Sequence, residues 1–254
     1  MVEVMQVKIG CCGFAMDRRK YYGAFPVVEV QQTFYQLPRA GTAARWRAEA
    51  PPAFEFTMKA WQLITHEPSS PTYRRLRRPL PPELKDRYGS FRPTDEVEAA
   101  WAATAEVAGA LGARIVLFQC PPRFTPTEQH VVWLRQFFVG VARGDFVLTW
   151  EPRGEWPPHL VAGLCAELGL VHVGDPLAGE PLTKGLRYFR LHGVTGYRYI
   201  HSDEDLAAIA KRLAPETDNY VLFNNQFMAE DAVRFQALLQ KRQRSARPAR
   251  RSGR

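Results

Sequence analysis

No run of about 18 consecutive apolar residues occurs in this 254-residue chain, so no membrane-spanning helix is expected. The N-terminus, MVEVMQVKIG, has no basic segment followed by an apolar stretch, so no secretory leader is expected. The expectation is a cytoplasmic protein with no membrane partner. Cysteine is scarce, at four, and none stands in a C-x-x-C spacing; Cys11 and Cys12 are adjacent while Cys120 and Cys165 lie far off. That pattern fits a reducing compartment and buried, unpaired thiols, with Cys12 a nucleophile only if a histidine sits beside it. The absence of a Walker loop, of G-x-G-x-x-G and of G-x-S-x-G argues against common nucleotide, dinucleotide-cofactor and serine-hydrolase chemistry.

Acids are outnumbered, 26 against 34 Lys and Arg, for a net charge of +8. The excess is local. Residues 241–254, KRQRSARPARRSGR, carry seven basic residues and no acid, leaving the other 240 residues at +1. Such a segment has little apolar surface to bury and is expected to be a disordered basic tail; it either simply aids solubility or binds nucleic acid without sequence preference.

Short β-branched or aromatic runs predict strands near 6–10, 27–34, 54–60, 114–120, 146–151, 171–175, 187–192 and 220–225. Helical spacing predicts helices over 42–50, 94–113, 126–142, 158–169, 202–214 and 229–242, several with a Ser or Thr cap or a Gly stop. Eight strands alternating with helices make an α/β protein, most simply a (β/α)8 TIM barrel filling residues 1–240 as one domain. One unit is degenerate, because PLAGEPLTKG between the sixth and seventh strands is too short and too rich in Gly and Pro for a full helix. A long Pro- and Arg-rich loop, residues 61–93, follows the third strand and lies on the catalytic face as a lid or binding loop.

Alternate residues of a strand share a face, and the strands of a parallel barrel are normally apolar on both. Here the pattern breaks at the C-terminal ends. Glu29, Gln31 and Thr33 alternate on the second strand, Thr57 and Lys59 on the third, Thr149, Glu151 and Arg153 on the fifth, and Tyr188, Arg190 and His192 on the seventh. Gln119, Asp175, and Asn224 with Asn225 end the fourth, sixth and eighth. Barrel enzymes place their sites at this end, and buried charges do not persist without partners or a task. Lys59, Arg153 and Arg190 are therefore expected to hold an anion, with Glu151 or Glu29 as general base, His192 as general acid and Asn225 orienting. His66 would enter the pocket from the long loop, whereas His130, His159 and His201 read as surface residues. Glu29, Glu151, Asp175 and His192 are also donors suited to Mg, Mn or Zn, so a divalent metal is a further expectation, although no H-x-H or H-E-x-x-H spacing supports it. The competing reading is an internal ion-pair network in which these charges neutralise one another.

GCCGF (10–14), VEVQQTFYQLP (28–38), FTMKAWQLITH (56–66), FQCPPRF (118–124), WEPRGEW (150–156), FRLHG (189–193) and FNN (223–225) occur in the order in which a known family carries similar segments. Over residues 8–240 the chain resembles the YecE-like family, domain of unknown function 72, whose members look like (β/α)8 barrels. The resemblance implies that fold, and points to Glu29, Thr33, Tyr35, Lys59, His66, Gln119, Glu151, Arg153, Arg190, His192, Asn224 and Asn225. It transfers no reaction. Phe14, Cys11, Cys12, Gln31 and Gln32 depart from the family pattern. The functional expectation is thus an enzyme, hydrolytic or phosphodiester-cleaving, on a phosphate-bearing or other anionic substrate. Its substrate-binding residues would be Lys59, His66, Gln119, Arg153, Arg190, Asn224 and Asn225. The alternatives are a non-catalytic protein that binds a nucleotide or nucleic acid through the pocket, the Arg-rich loop and the tail, or a scaffold without a site.

Overall fold

The structure, a computed structural model, describes residues 7–246. Eight parallel strands, β1 (Val7–Cys12), β2 (Val27–Val30), β3 (Glu55–Lys59), β4 (Ile115–Gln119), β5 (Val147–Glu151), β6 (Val171–Gly174), β7 (Arg187–Leu191) and β8 (Asn219–Phe223), pair in sequence order and close β8 onto β1. This is the (β/α)8 barrel. The period of two decides its layers: in β4, Ile115 and Leu117 join the barrel interior with Val27, Val173, Tyr188, Tyr220 and Leu222, while Val116 and Phe118 pack outward against the helices. No helix among the described residues is long and apolar enough to cross a membrane.

The helices are α1 (Arg18–Ala24), α2 (Gln32–Tyr35), α3 (Ala40–Glu49), α4 (Gln62–Thr65), α5 (Asp95–Leu111), α6 (Glu128–Gly140), α7 (Pro158–Leu168), α8 (Asp203–Lys211) and α9 (Met228–Ala246). Their ends follow local chemistry. Thr94 caps α5 and Gly112 ends it with φ 66°, while Ser202 and Asp205 form a reciprocal capping box on α8. The sequence pattern misses α1, whose RRKYYGA buries only Tyr21 and so shows little apolar periodicity. Strand β2 is shorter than expected. It stops at Val30, and Gln32–Tyr35 forms a helical turn, so Thr33 does not alternate with Glu29. Helix α9 continues through residues 241–246, so this part of the basic tail is helical; Lys, Arg, Gln and Ala are good helix formers extending a helix already nucleated on the barrel. The expectation for residues 247–254 lies outside the described residues.

No helix connects β6 to β7, as the Gly/Pro-rich linker predicts. The long loop after β3 contains α4 and two 3-10 turns, Pro71–Arg75 and Pro82–Arg87, and exposes Arg74, Arg75, Arg77 and Arg78. Its return is pinned. Gly89 adopts φ 80° with no room for a side chain, since a Cβ there would lie 2.2 Å from the His66 carbonyl oxygen. Two residues on, Phe91 is fully buried among Phe118, Phe124, Phe137 and Phe138.

Candidate functional site

The inward-facing polar residues form a continuous ladder through the barrel. At the N-terminal end Lys8 sits between Glu55, at 2.8 Å, and Asp218, at 3.4 Å. Further in, the Thr57 hydroxyl lies 2.7 Å from the Tyr188 hydroxyl, which donates to Glu29 Oε2 at 2.8 Å. Above them Arg190, completely buried, grips Glu29 with two parallel bonds, Nε to Oε2 at 3.0 Å and Nη2 to Oε1 at 2.9 Å. Its third nitrogen, Nη1, donates to Glu151 Oε2 at 2.5 Å. One guanidinium therefore bridges β2 and β5 across the interior. The bidentate pairing with Glu29 matches the planar guanidinium to the carboxylate, and the third nitrogen gives Glu151 a counter-charge.

Glu151, at the end of β5, is shared between the interior and the mouth. Its Oε1 accepts from His192 Nε2 at 3.0 Å and from Arg153 Nη1 at 3.2 Å. Burial pushes its pKa up, but Arg190, His192 and Arg153 more than offset this and hold it well below the usual carboxylate range. Arg153, 41% exposed, commits no other N–H among the described residues. The loop that carries it is held by Trp156, whose Nε1 donates to the Phe124 carbonyl at 2.6 Å. Gly154 sits so close to that neighbouring loop that a Cβ would lie 2.5 Å from the same carbonyl oxygen. Gly154→Ala is expected to cost about 1–3 kcal/mol through this backbone clash. A urea unfolding midpoint equal to that of the parent protein would show that the loop can move aside.

Lys59 ends β3 and is 6% exposed; its Nζ donates to Gln119 Oε1 at 2.6 Å and lies 3.6 Å from the centre of the Phe34 ring. Among the described residues no carboxylate is within 4.0 Å of it, since Arg190 has taken both interior carboxylates. Burial, then the charge of Arg190, lowers the Lys59 pKa to about 7 against the pull of Glu151 and Glu29. His66 packs against Phe34 in a T-shaped arrangement, ring centres 4.7 Å apart, and pairs with the Thr65 hydroxyl. Burial and then Lys59 lower its pKa to about 3, so it is neutral. The Thr33 hydroxyl lies 2.6 and 2.7 Å from the Val30 and Lys59 carbonyls and ties β2 to β3. Tyr35 lies under Arg75 of the long loop, at 3.4 Å.

The orientation of His192 follows from a chain of donors. The Cys12 carbonyl can only accept, so Gln31 presents its Nε2 there, at 2.9 Å, and the same amine donates to Asn224 Oδ1 at 2.8 Å. Asn224 then presents Nδ2 to His192 Nδ1 at 3.1 Å, which leaves the ring proton of a neutral His192 on Nε2, facing Glu151. Gln31 was visible in the strand alternation, but its positioning role depends on an eighth-strand partner 193 residues away.

Several expectations need correction. Glu29 and Arg190 are wholly buried and bound to each other, so neither is placed to act on a substrate; the low pKa and three donors of Glu151 make it a poor general base. The four candidate metal donors do not converge: Arg190 separates Glu29 from Glu151, Asp175 accepts the backbone amides of Leu177 and His192, and no group of three such donors occurs among the described residues. Asn225 turns away from Asn224 and donates to the Tyr199 carbonyl and to Asp231. Asp231 also holds His201 at 2.8 Å, and both are fully buried, so His201 is not a surface residue. Cys12 is a buried neutral thiol, its pKa raised well above the usual value by burial and by Glu29. His172, inside β6 and so outside the strand-end pattern, lines a cavity of about 420 Å³ with Glu151, Arg153, Asp175 and His192 beside the missing helix. Its pKa is lowered to about 4, by burial and despite Glu151.

The family described as "Protein of unknown function DUF72" matches residues 15–252. A DUF72 family protein from Enterococcus faecalis V583 superposes with a TM-score of 0.72 at 20% identity, over 94% of this chain and 99% of that one. One from Thermotoga maritima MSB8 gives 0.67 at 19% identity, over 92% and 99%. A xylose isomerase domain containing protein from Salmonella typhimurium LT2 shares the fold, with a TM-score of 0.57 at 15% identity over 94% and 99% of the two chains. A comparison with curated proteins finds no match. With the matched region running from the first strand's end to the last helix, the chain belongs to the DUF72 family.

Proposed function

We propose that this protein is an enzyme acting on a small anionic substrate at the C-terminal mouth of the barrel, with Arg153 holding the anion and Lys59 exchanging the proton. One observation carries the reading: among the described residues Lys59 has no carboxylate partner and Arg153 keeps uncommitted donors, while Glu29 and Glu151 are already satisfied by Arg190. The two cations are linked through adjacent side chains, since Gln119, which accepts from Lys59, pairs in register with Glu151, which accepts from Arg153. An anion between them would supply the missing counter-charge. It would also favour protonated Lys59, so binding near pH 8 should take up a proton. Proton transfer then falls to Lys59, the mouth group that titrates near neutrality without an ionic partner. In a hydrolytic reaction it would take the proton of the attacking water.

Inorganic phosphate is the first probe. Titration calorimetry in buffers of different ionisation enthalpy should show proton uptake on binding at pH 8, and Arg153→Met should weaken binding roughly 10- to 100-fold, the worth of a charge-assisted bond. Equal affinity for the variant would rule out this placement. The four exposed arginines of the long loop favour a second reading, a polyanion bound across the mouth without turnover. That reading requires binding of single-stranded RNA that weakens steeply with salt and survives Lys59→Met.

A further inference from the structure

We propose that Lys59 is a nucleophilic amine that forms an imine with an aldehyde or ketone carbonyl of the substrate, a reading that rests on the mouth as an anion site. Two lysines lie inside this barrel, one at each end. Lys8, at the opposite end, shows the ordinary solution to burying an ammonium: Glu55 at 2.8 Å and Asp218 at 3.4 Å, with a Tyr220 hydroxyl at 3.1 Å. Burial lowers its pKa, but the bonds from Glu55 and Tyr220 more than reverse this and raise it above the usual lysine value. Lys59 is more deeply buried by its surroundings yet has only an amide oxygen and an aromatic face. The amide oxygen accepts from a neutral amine as readily as from an ammonium, while the ring face offers a cation far less than a carboxylate would. Nearby carboxylates exist, but the bidentate grip of Arg190 on Glu29 and its bond to Glu151 withhold them.

Desolvation and a neighbouring cation are the two conditions that expose the lone pair of a lysine at neutral pH. Lys59 meets both, and it ends a strand on the face where barrel enzymes place their chemistry. In the step itself, the Nζ lone pair attacks the carbonyl carbon, a C–N bond forms, and the C–O π pair moves to oxygen. A proton passes from nitrogen to that oxygen, a second arrives from solvent, and water leaves, giving a protonated imine. Gln119 Oε1, 2.6 Å from Nζ, is placed to accept the remaining N–H throughout. The imine would withdraw electrons from the adjoining carbon, and Arg153 would hold the substrate's anionic group.

Glyoxylate, a small anionic aldehyde, and glycolaldehyde, a neutral one, are the probes, each trapped at pH 7.5 with cyanoborohydride and mapped by peptide mass spectrometry. Lys59 should be alkylated roughly tenfold or more faster than the exposed Lys20 and Lys85. The preference should vanish in urea-unfolded protein. Arg153→Met should slow labelling by glyoxylate and leave glycolaldehyde unchanged. Labelling of Lys59 no faster than of Lys20 with both aldehydes would overturn the imine, while phosphate binding through Arg153 would stand on its own result. Fast labelling of Lys59 by both aldehydes, indifferent to Arg153, would keep the imine and remove the anion site.

Discussion

Arg190→Met is expected to lower the unfolding free energy by about 3–5 kcal/mol at pH 7, because it strands two buried carboxylates without their shared cation. Arg190 supplies both bonds to Glu29 from a cation and the only donor to Glu151 Oε2 among the described residues. The pH dependence should weaken as well. In the parent protein the pKa of Glu151 is held below its unfolded value, so the stability it contributes is present above about pH 4.5 and is lost as pH falls. Without Arg190 the largest influence opposing burial is gone and the pKa of Glu151 rises, with His192 and Arg153 still holding it down, so less stability is lost as pH falls. The variant should become more stable, relative to the parent, as pH drops below about 4.5. A second variant separates a broken pair from a broken core: Glu29→Leu, Glu151→Met and Arg190→Met together should recover most of the loss, since an apolar set of similar volume avoids desolvating charge. Urea unfolding of both variants at pH 7 and below about pH 4.5 decides it. A single variant with near-parental stability at pH 7 would mean that the network is not what keeps these carboxylates in the barrel.

Lys59→Met should remove a slope from the stability curve of the protein. The Lys59 pKa is about 7 when folded and 10.5 in the ordinary state, so between these values the unfolded chain binds the extra proton. Stability therefore rises with pH across that window, by up to about 1.4 kcal/mol per pH unit, and the penalty is fully present below pH 7 and absent above pH 10.5. Methionine carries no proton and fills a similar volume, so the variant should be the more stable protein at pH 7 and lose that advantage by pH 10.5. Parallel stability curves for the two proteins over this window would show that Lys59 is as basic as a surface lysine. The imine and the proton uptake on anion binding would then both lose their chemical basis.

The strands were legible because a parallel strand covered on both faces must be apolar along its length, and runs such as IVLFQ and FVLTW announce it. The site was legible as a set for the complementary reason: charges at strand ends violate that rule, and of the ten proposed site residues only His66 is not named by alternation on a strand or by its C-terminal end. Roles were not legible. Alternation places Glu29 and Arg190 on the inner face but cannot say that they face each other across 161 residues, and that pairing turns an expected general base and an expected anion-binding residue into one buried ion pair. The same contact frees Lys59 from a carboxylate. His201 looked like a residue before a helix, and its burial against Asp231 depends on where α9 lies.

The sequence by itself determined the (β/α)8 barrel, the missing helix between β6 and β7, the long loop after β3 and the face that carries the polar residues. These are periodic or compositional properties, set by local backbone geometry and by which side of a strand meets solvent-free packing. Only the tertiary structure decided which charges neutralise one another, how His192 is oriented and which lysine is left unpaired. Electrostatic energy depends on distances of a few ångströms between residues far apart in the chain, and ring closure, not sequence spacing, fixes those distances.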